Sequence, residues 1–147
     1  ILIIRGCGPV GYPGSAEVVN MQPPDRLLKK GINALPTLGD GRQSGTSESP
    51  SILHVSPESA VGGDLGIVKT GDKMKIDLNK RRVDLIINKS EFKKRRRNKK
   101  RFKFKNQTPW QEIFRDTVGQ LEDGACINSR EMYLDVSNKK GLPRDSH

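Results

Sequence analysis

Cysteine is nearly absent: Cys7 and Cys126 are the two in a chain of 147 residues. They stand far apart with no C-x-x-C spacing, which excludes a disulfide scaffold, a dithiol redox motif and a zinc site built on paired cysteines. Both read as reduced thiols, Cys7 as a small apolar filler in a glycine-rich segment. Aromatic residues make up 5% of the chain and hydrophobic residues 33%, enough for one domain with a modest core. No run approaches the roughly 18 apolar residues of a membrane-spanning helix, and no signal-peptide pattern is present. A soluble, cytoplasmic protein without a membrane partner is the expectation. No internal repeat is visible.

Acids are missing from one segment altogether. Residues 93–105 hold ten lysines and arginines and no acid. Taking those ten from the 27 Lys and Arg leaves as many cations as the 17 acids, so this run carries the whole formal charge of +10. Phe92, Phe102 and Phe104 interleave it. The pattern suits phosphate contacts with stacked bases. It equally suits a solvated helix capped by Ser90 and followed by a β-like Phe-Lys-Phe-Lys edge. The second reading is preferred because the rest of the chain shows no nucleic-acid motif; a basic nucleic-acid module stays as the alternative function, and an inert fragment as a third.

Periodicity elsewhere predicts mixed α and β structure. Residues 1–4 and 34–38 read as strands, the first as though cut from a larger protein, and 24–30 as a short helix closed by Gly31. Residues 65–69, 74–78 and 83–87 read as successive hairpin strands. Thr108-Pro109-Trp110-Gln111 supplies an N-cap, a proline at the first helical position and a glutamine at N3. Trp110, Ile113, Phe114, Val118 and Leu121 then follow at helical spacing up to Gly124 and are expected in the core. After Glu131 only a short extended segment, 132–136, is expected.

What carries chemistry is the string Gly39-Asp40-Gly41-Arg42-Gln43-Ser44-Gly45-Thr46-Ser47, which sets hydroxyls on a backbone freed by glycine for close approach to a ligand. It is preceded by Gly8-Pro9-Val10-Gly11-Tyr12-Pro13-Gly14-Ser15-Ala16-Glu17-Val18 and followed by Ser56-Pro57-Glu58-Ser59-Ala60-Val61-Gly62-Gly63. In this order the blocks resemble the C-terminal domain of the dihydroxy-acid dehydratase and 6-phosphogluconate dehydratase family. Thr108-Pro109-Trp110-Gln111-Glu112-Ile113 and Gly141-Leu142-Pro143-Arg144-Asp145 resemble its sugar-acid, pentonate branch. The resemblance runs along the whole chain except near residues 92–105, an insert-like basic segment where that family has a charge-mixed helix.

The resemblance implies a single C-terminal domain over residues 1–147, β-barrel-like and flanked by helices, with a helix and tail over 108–147. It packs against an N-terminal cluster-binding domain that this chain does not contain, in a homo-oligomeric enzyme whose site lies between the domains. It implies a hydro-lyase that converts a sugar acid to a 2-keto-3-deoxy acid, incomplete as this chain alone. A serine alkoxide is the base, and Mg²⁺ and an iron–sulfur cluster are the cofactors. Ser44 matches the base, Thr46 the substrate-orienting hydroxyl, and Glu17 the Mg²⁺ ligand from this domain, although a carboxylate there also suits a helix start. Arg42 either grips a carboxylate or ties down its loop. His147, with its imidazole and terminal carboxylate, closes a tail that either folds over the site mouth or frays. His54 reads as structural. Glu48 replaces a small glycine usual in the branch and adds charge beside the serine.

Overall fold

The computed structural model describes residues 1–18, 22–43, 50–100 and 102–141. Three parallel strands open the architecture. Strand β1 (Leu2–Ile4) gives way to the two-residue β2 (Glu17–Val18), the single-turn α1 (Asp25–Leu28) and β3 (Thr37–Gly39). Strands β4 (Arg42–Gln43) and β5 (Ser51–Ile52) follow. The sheet order is β1-β3-β5, and the register Ile3–Leu38–Ile52 lines one face with an aliphatic row. A four-residue turn joins β6 (Lys73–Asp77) to β7 (Arg82–Ile86), whose antiparallel register pairs Met74 with Leu85 and Ile76 with Val83. Because side chains alternate along a strand, those four share a face. Met74, Val83 and Leu85 pack with Ile3 and Ile52 against the buried Leu38, Leu65 and Val68. This is the small core that the composition anticipates.

Several elements depart from the sequence reading. Residues 65–69 form no strand: Asp64–Ile67 is a 3-10 turn, with Gly66 N–H donating to Gly63 O at 3.1 Å. The turn is favoured because it buries Leu65, Ile67 and Val68 while Gly66 admits the Lys99 side chain. The basic run does form a helix, α2 (Lys89–Arg97), but Asn88 rather than Ser90 caps it, accepting from Glu91 N–H at 2.8 Å. Residues 102–105 form no strand; Phe102 and Phe104 stack on each other at 5.6 Å instead.

Helix α3 (Pro109–Thr117) starts as expected, Thr108 Oγ1 accepting from Gln111 N–H at 3.2 Å. It stops early because Val118 turns extended and bridges to Ile127, leaving Leu121–Asp123 as a separate 3-10 turn. Trp110 is 78% exposed, so it is not core, and Phe114 is exposed too. Residues 132–136 are not extended but lie within α4 (Arg130–Lys140), where the i,i+4 pair Lys139–Asp135 at 2.6 Å supports the helix. The class is mixed α and β. The described strands form three separate small sheets that do not close into a barrel, being only two to five residues long. No helix among the described residues is long and apolar enough to cross a membrane.

Arg95 fastens α2 to the body. Its guanidinium donates bidentately to Asp72 at 2.6 and 3.1 Å, to Glu91 at 2.7 Å and to the Ile67 carbonyl at 3.2 Å. Its hydrogen bonds, first among the causes, pull the Asp72 and Glu91 carboxyls below their ordinary values and raise its own.

Two measurements check this packing. Leu38→Ala, at a fully buried site, is expected to cost about 3 kcal/mol in chemical denaturation, whereas Trp110→Ala stays within about 0.5 kcal/mol. For the Arg95 cluster, carboxyls with lowered folded values stabilise the fold above their unfolded values and lose that contribution as pH falls through the folded ones. Melting from about pH 7 to about pH 3 is therefore expected to show a shallower acid decline in Arg95→Met than in the parent; parallel curves would reject the linkage.

Candidate active site

Two buried carboxylates hold the first glycine block. Asp40, flanked by Gly39 and Gly41 at the end of β3, is fully buried. Its Oδ2 accepts from Gly6 N–H at 3.0 Å and Ser59 N–H at 2.8 Å, and from the Ser59 hydroxyl; its Oδ1 accepts from Cys7 N–H at 3.1 Å. Glu58, equally buried, accepts from Val10 N–H at 2.9 Å, Gly11 N–H at 3.0 Å and Gln120 Nε2 at 2.8 Å. A bend in residues 6–15 turns several N–H groups inward with no strand to receive them. The two side chains do what a sheet neighbour would otherwise do. Glycine is required where the fit is closest: a Cβ on Gly8 would collide with the Glu58 carboxyl, and one on Gly41 would lie 2.8 Å from Cys7 Cβ.

The outer side of this loop is covered from the C-terminal half. Phe102 lies against Gly6 and Phe114 against Gly14. Arg115 donates to the Val10 carbonyl at 3.2 Å, bonds Asn106, and sits 4.8 Å over the Phe104 ring. Phe114 and Arg115 are thus a clamp on the loop, a role their helical spacing did not disclose. Cys7 stays a filler: burial first, and the Asp40 charge second, push its thiol up.

Past the loop the chain enters β2, which pairs in parallel with β4 so that Glu17 stands opposite Arg42 and Val18 opposite Gln43. Partners in register project from the same face of a sheet. Both Glu17 and Arg42 are exposed, and neither makes an ion pair with a described residue. Two of the five expected site residues are therefore brought together, each as the first residue of a short parallel strand. Ser44, Thr46 and His147, like Glu48, lie outside the described residues, although Ser44 follows β4 directly in sequence. His54 is apart from this pair. It adopts φ 56°, donates its N–H to the Gly41 carbonyl at 3.2 Å and lines a 460 Å³ cavity beside Arg81, in keeping with a structural role.

Sequence reasoning missed three residues. Asp40 and Glu58 were quoted within motifs, yet only a buried acid surrounded by glycine and proline signalled them. Ser15 is the third: at φ 59° it ends the loop, and its Oγ is buried with no hydrogen-bond partner, two residues before Glu17. Among the described residues no three His, Cys, Asp or Glu side chains gather to hold a metal ion. Glu17, with the unpaired Ser15 hydroxyl near it in sequence, fits as one hard-oxygen donor to a cation such as Mg²⁺. An iron–sulfur cluster does not fit here, since a cluster needs several thiolates and this chain has two cysteines, Cys7 and Cys126.

Comparison with known proteins places these features. Residues 1–125 match the family model described as dihydroxy-acid/6-phosphogluconate dehydratase C-terminal. The chain is 54% identical over 147 residues to the D-xylonate dehydratase of Caulobacter vibrioides, covering all of this chain and 24% of that protein. It is 47% identical over 95 residues to the L-arabinonate dehydratase of Rhizobium leguminosarum, 65% of this chain and 16% of the relative. It is 39% identical over 128 residues to the dihydroxy-acid dehydratase of Thermodesulfovibrio yellowstonii, 86% of this chain and 23% of the relative. The chain spans about a quarter or less of the length of these relatives.

If the Asp40 carboxylate anchors the loop, Asp40→Asn is expected to cost about 3 kcal/mol in chemical denaturation. The amide can accept on one side only and turns its own N–H₂ towards N–H donors on the other. An unchanged midpoint would remove Asp40 from that role.

Proposed function

Because this chain belongs to the dihydroxy-acid/6-phosphogluconate dehydratase family, matching its C-terminal domain over residues 1–125, we propose that it forms one wall of a hydro-lyase site for a sugar acid. The relatives named for D-xylonate and L-arabinonate point to a pentonate as substrate, dehydrated to a 2-keto-3-deoxy acid. The observation that carries the reading is the β2–β4 register, which sets Glu17 against Arg42, two residues before Ser44 in sequence.

Dehydration of such an acid moves three things. The proton on the carbon beside the carboxylate leaves, the hydroxyl on the next carbon departs and is protonated to water, and the resulting enol ketonises. In our reading Ser44 Oγ, as alkoxide, takes that proton, and Thr46 orients the substrate hydroxyls. Arg42 receives the substrate carboxylate, bidentately if the planes align. Glu17 would hold Mg²⁺ as a single ligand of a set completed elsewhere; when bound, the cation supplies the positive charge that lets a hydroxyl ionise and acidifies the substrate's α-proton. The rest of the site belongs to the N-terminal domain of a homo-oligomeric enzyme, where the iron–sulfur cluster implied by the resemblance would have its ligands. The folding of the His147 tail over the mouth belongs to the same proposal.

In the complete protein Ser44→Ala is expected to lower kcat on a pentonate by about a hundredfold or more, the usual worth of a positioned base, with melting temperature and metal content retained. Turnover at the parental rate would exclude Ser44 as the base.

A further inference from the structure

The described cations of residues 93–105 do not form a uniform solvated face. Arg95 is spent on Asp72 and Glu91, Arg96 pairs with Asp64 at 3.0 Å, and Lys99 Nζ donates to the Gly63 carbonyl at 2.5 Å. These three fix the scaffold. Lys94, Lys100 and Lys103 form no ion pair or hydrogen bond with a described residue, and all three line one cavity of 710 Å³. Arg5, at the end of β1, and Lys69, after the 3-10 turn, reach the same cavity from other parts of the chain. Arg5 is held by Nη1 alone, to the Gly66 and Val68 carbonyls at 3.1 and 2.8 Å, and so brings a charge that no carboxylate offsets. Lys69 lies 3.9 Å from Glu91, the one acid in the lining, which Arg95 already engages at 2.7 Å. Phe102 supplies an apolar wall.

Convergence of cations from three separate segments onto one concavity accumulates positive potential that neighbouring acids do not cancel. The Lys99 ammonium is pushed down first by burial; Asp64 pulls it up as the next largest effect, and Arg96 and Arg5 add smaller downward pushes. An anion in the cleft would relieve that repulsion. The cavity has small-molecule dimensions. Asp64 and Glu91 on its flanks interrupt the continuous basic stripe that a nucleic-acid strand would track.

We propose that this cleft binds a small ligand carrying several phosphate groups, either an inorganic polyphosphate or the phosphate chain of a nucleotide. The phosphates lie among Arg5, Lys94, Lys100 and Lys103, and an organic base, where present, lies against Phe102.

The test is calorimetric titration of the complete protein at about 0.15 M salt with tripolyphosphate, with ATP and with a single-stranded oligonucleotide. Saturable one-to-one binding of tripolyphosphate is expected, weakened about tenfold or more in Lys94→Gln/Lys100→Gln, since each charged hydrogen bond contributes on that order. Lys93→Gln/Arg97→Gln removes the same charge outside the cavity and should leave the affinity within about twofold, as expected of screened charges. ATP matching tripolyphosphate assigns the site to the phosphates alone; tighter ATP binding, lost in Phe102→Ala, adds the base. No saturable binding, equal weakening by the two double variants, or an oligonucleotide that outcompetes both small ligands would overturn the proposal.

Discussion

Everything near the candidate site depends on two carboxylates that sit where water does not reach. Asp40 and Glu58 gather backbone N–H groups from residues 6–11 and from Ser59, and without them those donors would be buried and unpaired. The arrangement replaces a strand with two side chains. It fixes a bend that a regular ladder could not follow, and it ties that bend to the end of β3 and to the turn at Ser59–Val61. Glycine at positions 8 and 41 follows from this packing, because the space a Cβ would need is taken by Glu58 and Cys7.

From that anchor the rest of the site is placed by short distances along the chain. The loop ends at Ser15, β2 begins two residues later, and its parallel partner β4 begins two residues after Asp40. One buried acid thus sets the start of both strands whose register joins Glu17 to Arg42. In the middle of β3 Leu38 meets the hairpin in the hydrophobic core, and Asp40 follows the strand's end, so one three-residue strand serves both. The basic cleft borders the same loop through Arg5 and Phe102.

What was legible in the sequence was what local chemistry decides. The Thr108 cap, the β6–β7 hairpin and the motif order need only neighbours along the chain, and they were read correctly. Burial of Trp110 was misread because helical spacing identifies an apolar face without saying what covers it. The strand expected at 65–69 failed for a related reason: aliphatic residues bounded by glycine suit a buried 3-10 turn as well as a strand. Asp40 and Glu58 were illegible in role, since their donors lie 19 to 62 residues away. Of the basic run the sequence showed the charge, but the division between Arg95, Arg96 and Lys99, which are engaged, and the lysines of the cleft depends on Asp64, Asp72 and the Gly63 carbonyl, which no local window includes.

The parallel pairing carries a consequence for the order in which the molecule is built. Strand β1 emerges before β3 and must wait for it, and the loop behind it stays untethered until Glu58 and Ser59 exist. The β6–β7 hairpin, by contrast, closes across a four-residue turn on its own. Loop-closure entropy therefore delays the glycine block relative to the hairpin. During synthesis the glycine block is made before the residues that tether it, leaving β1 as an open edge in the meantime.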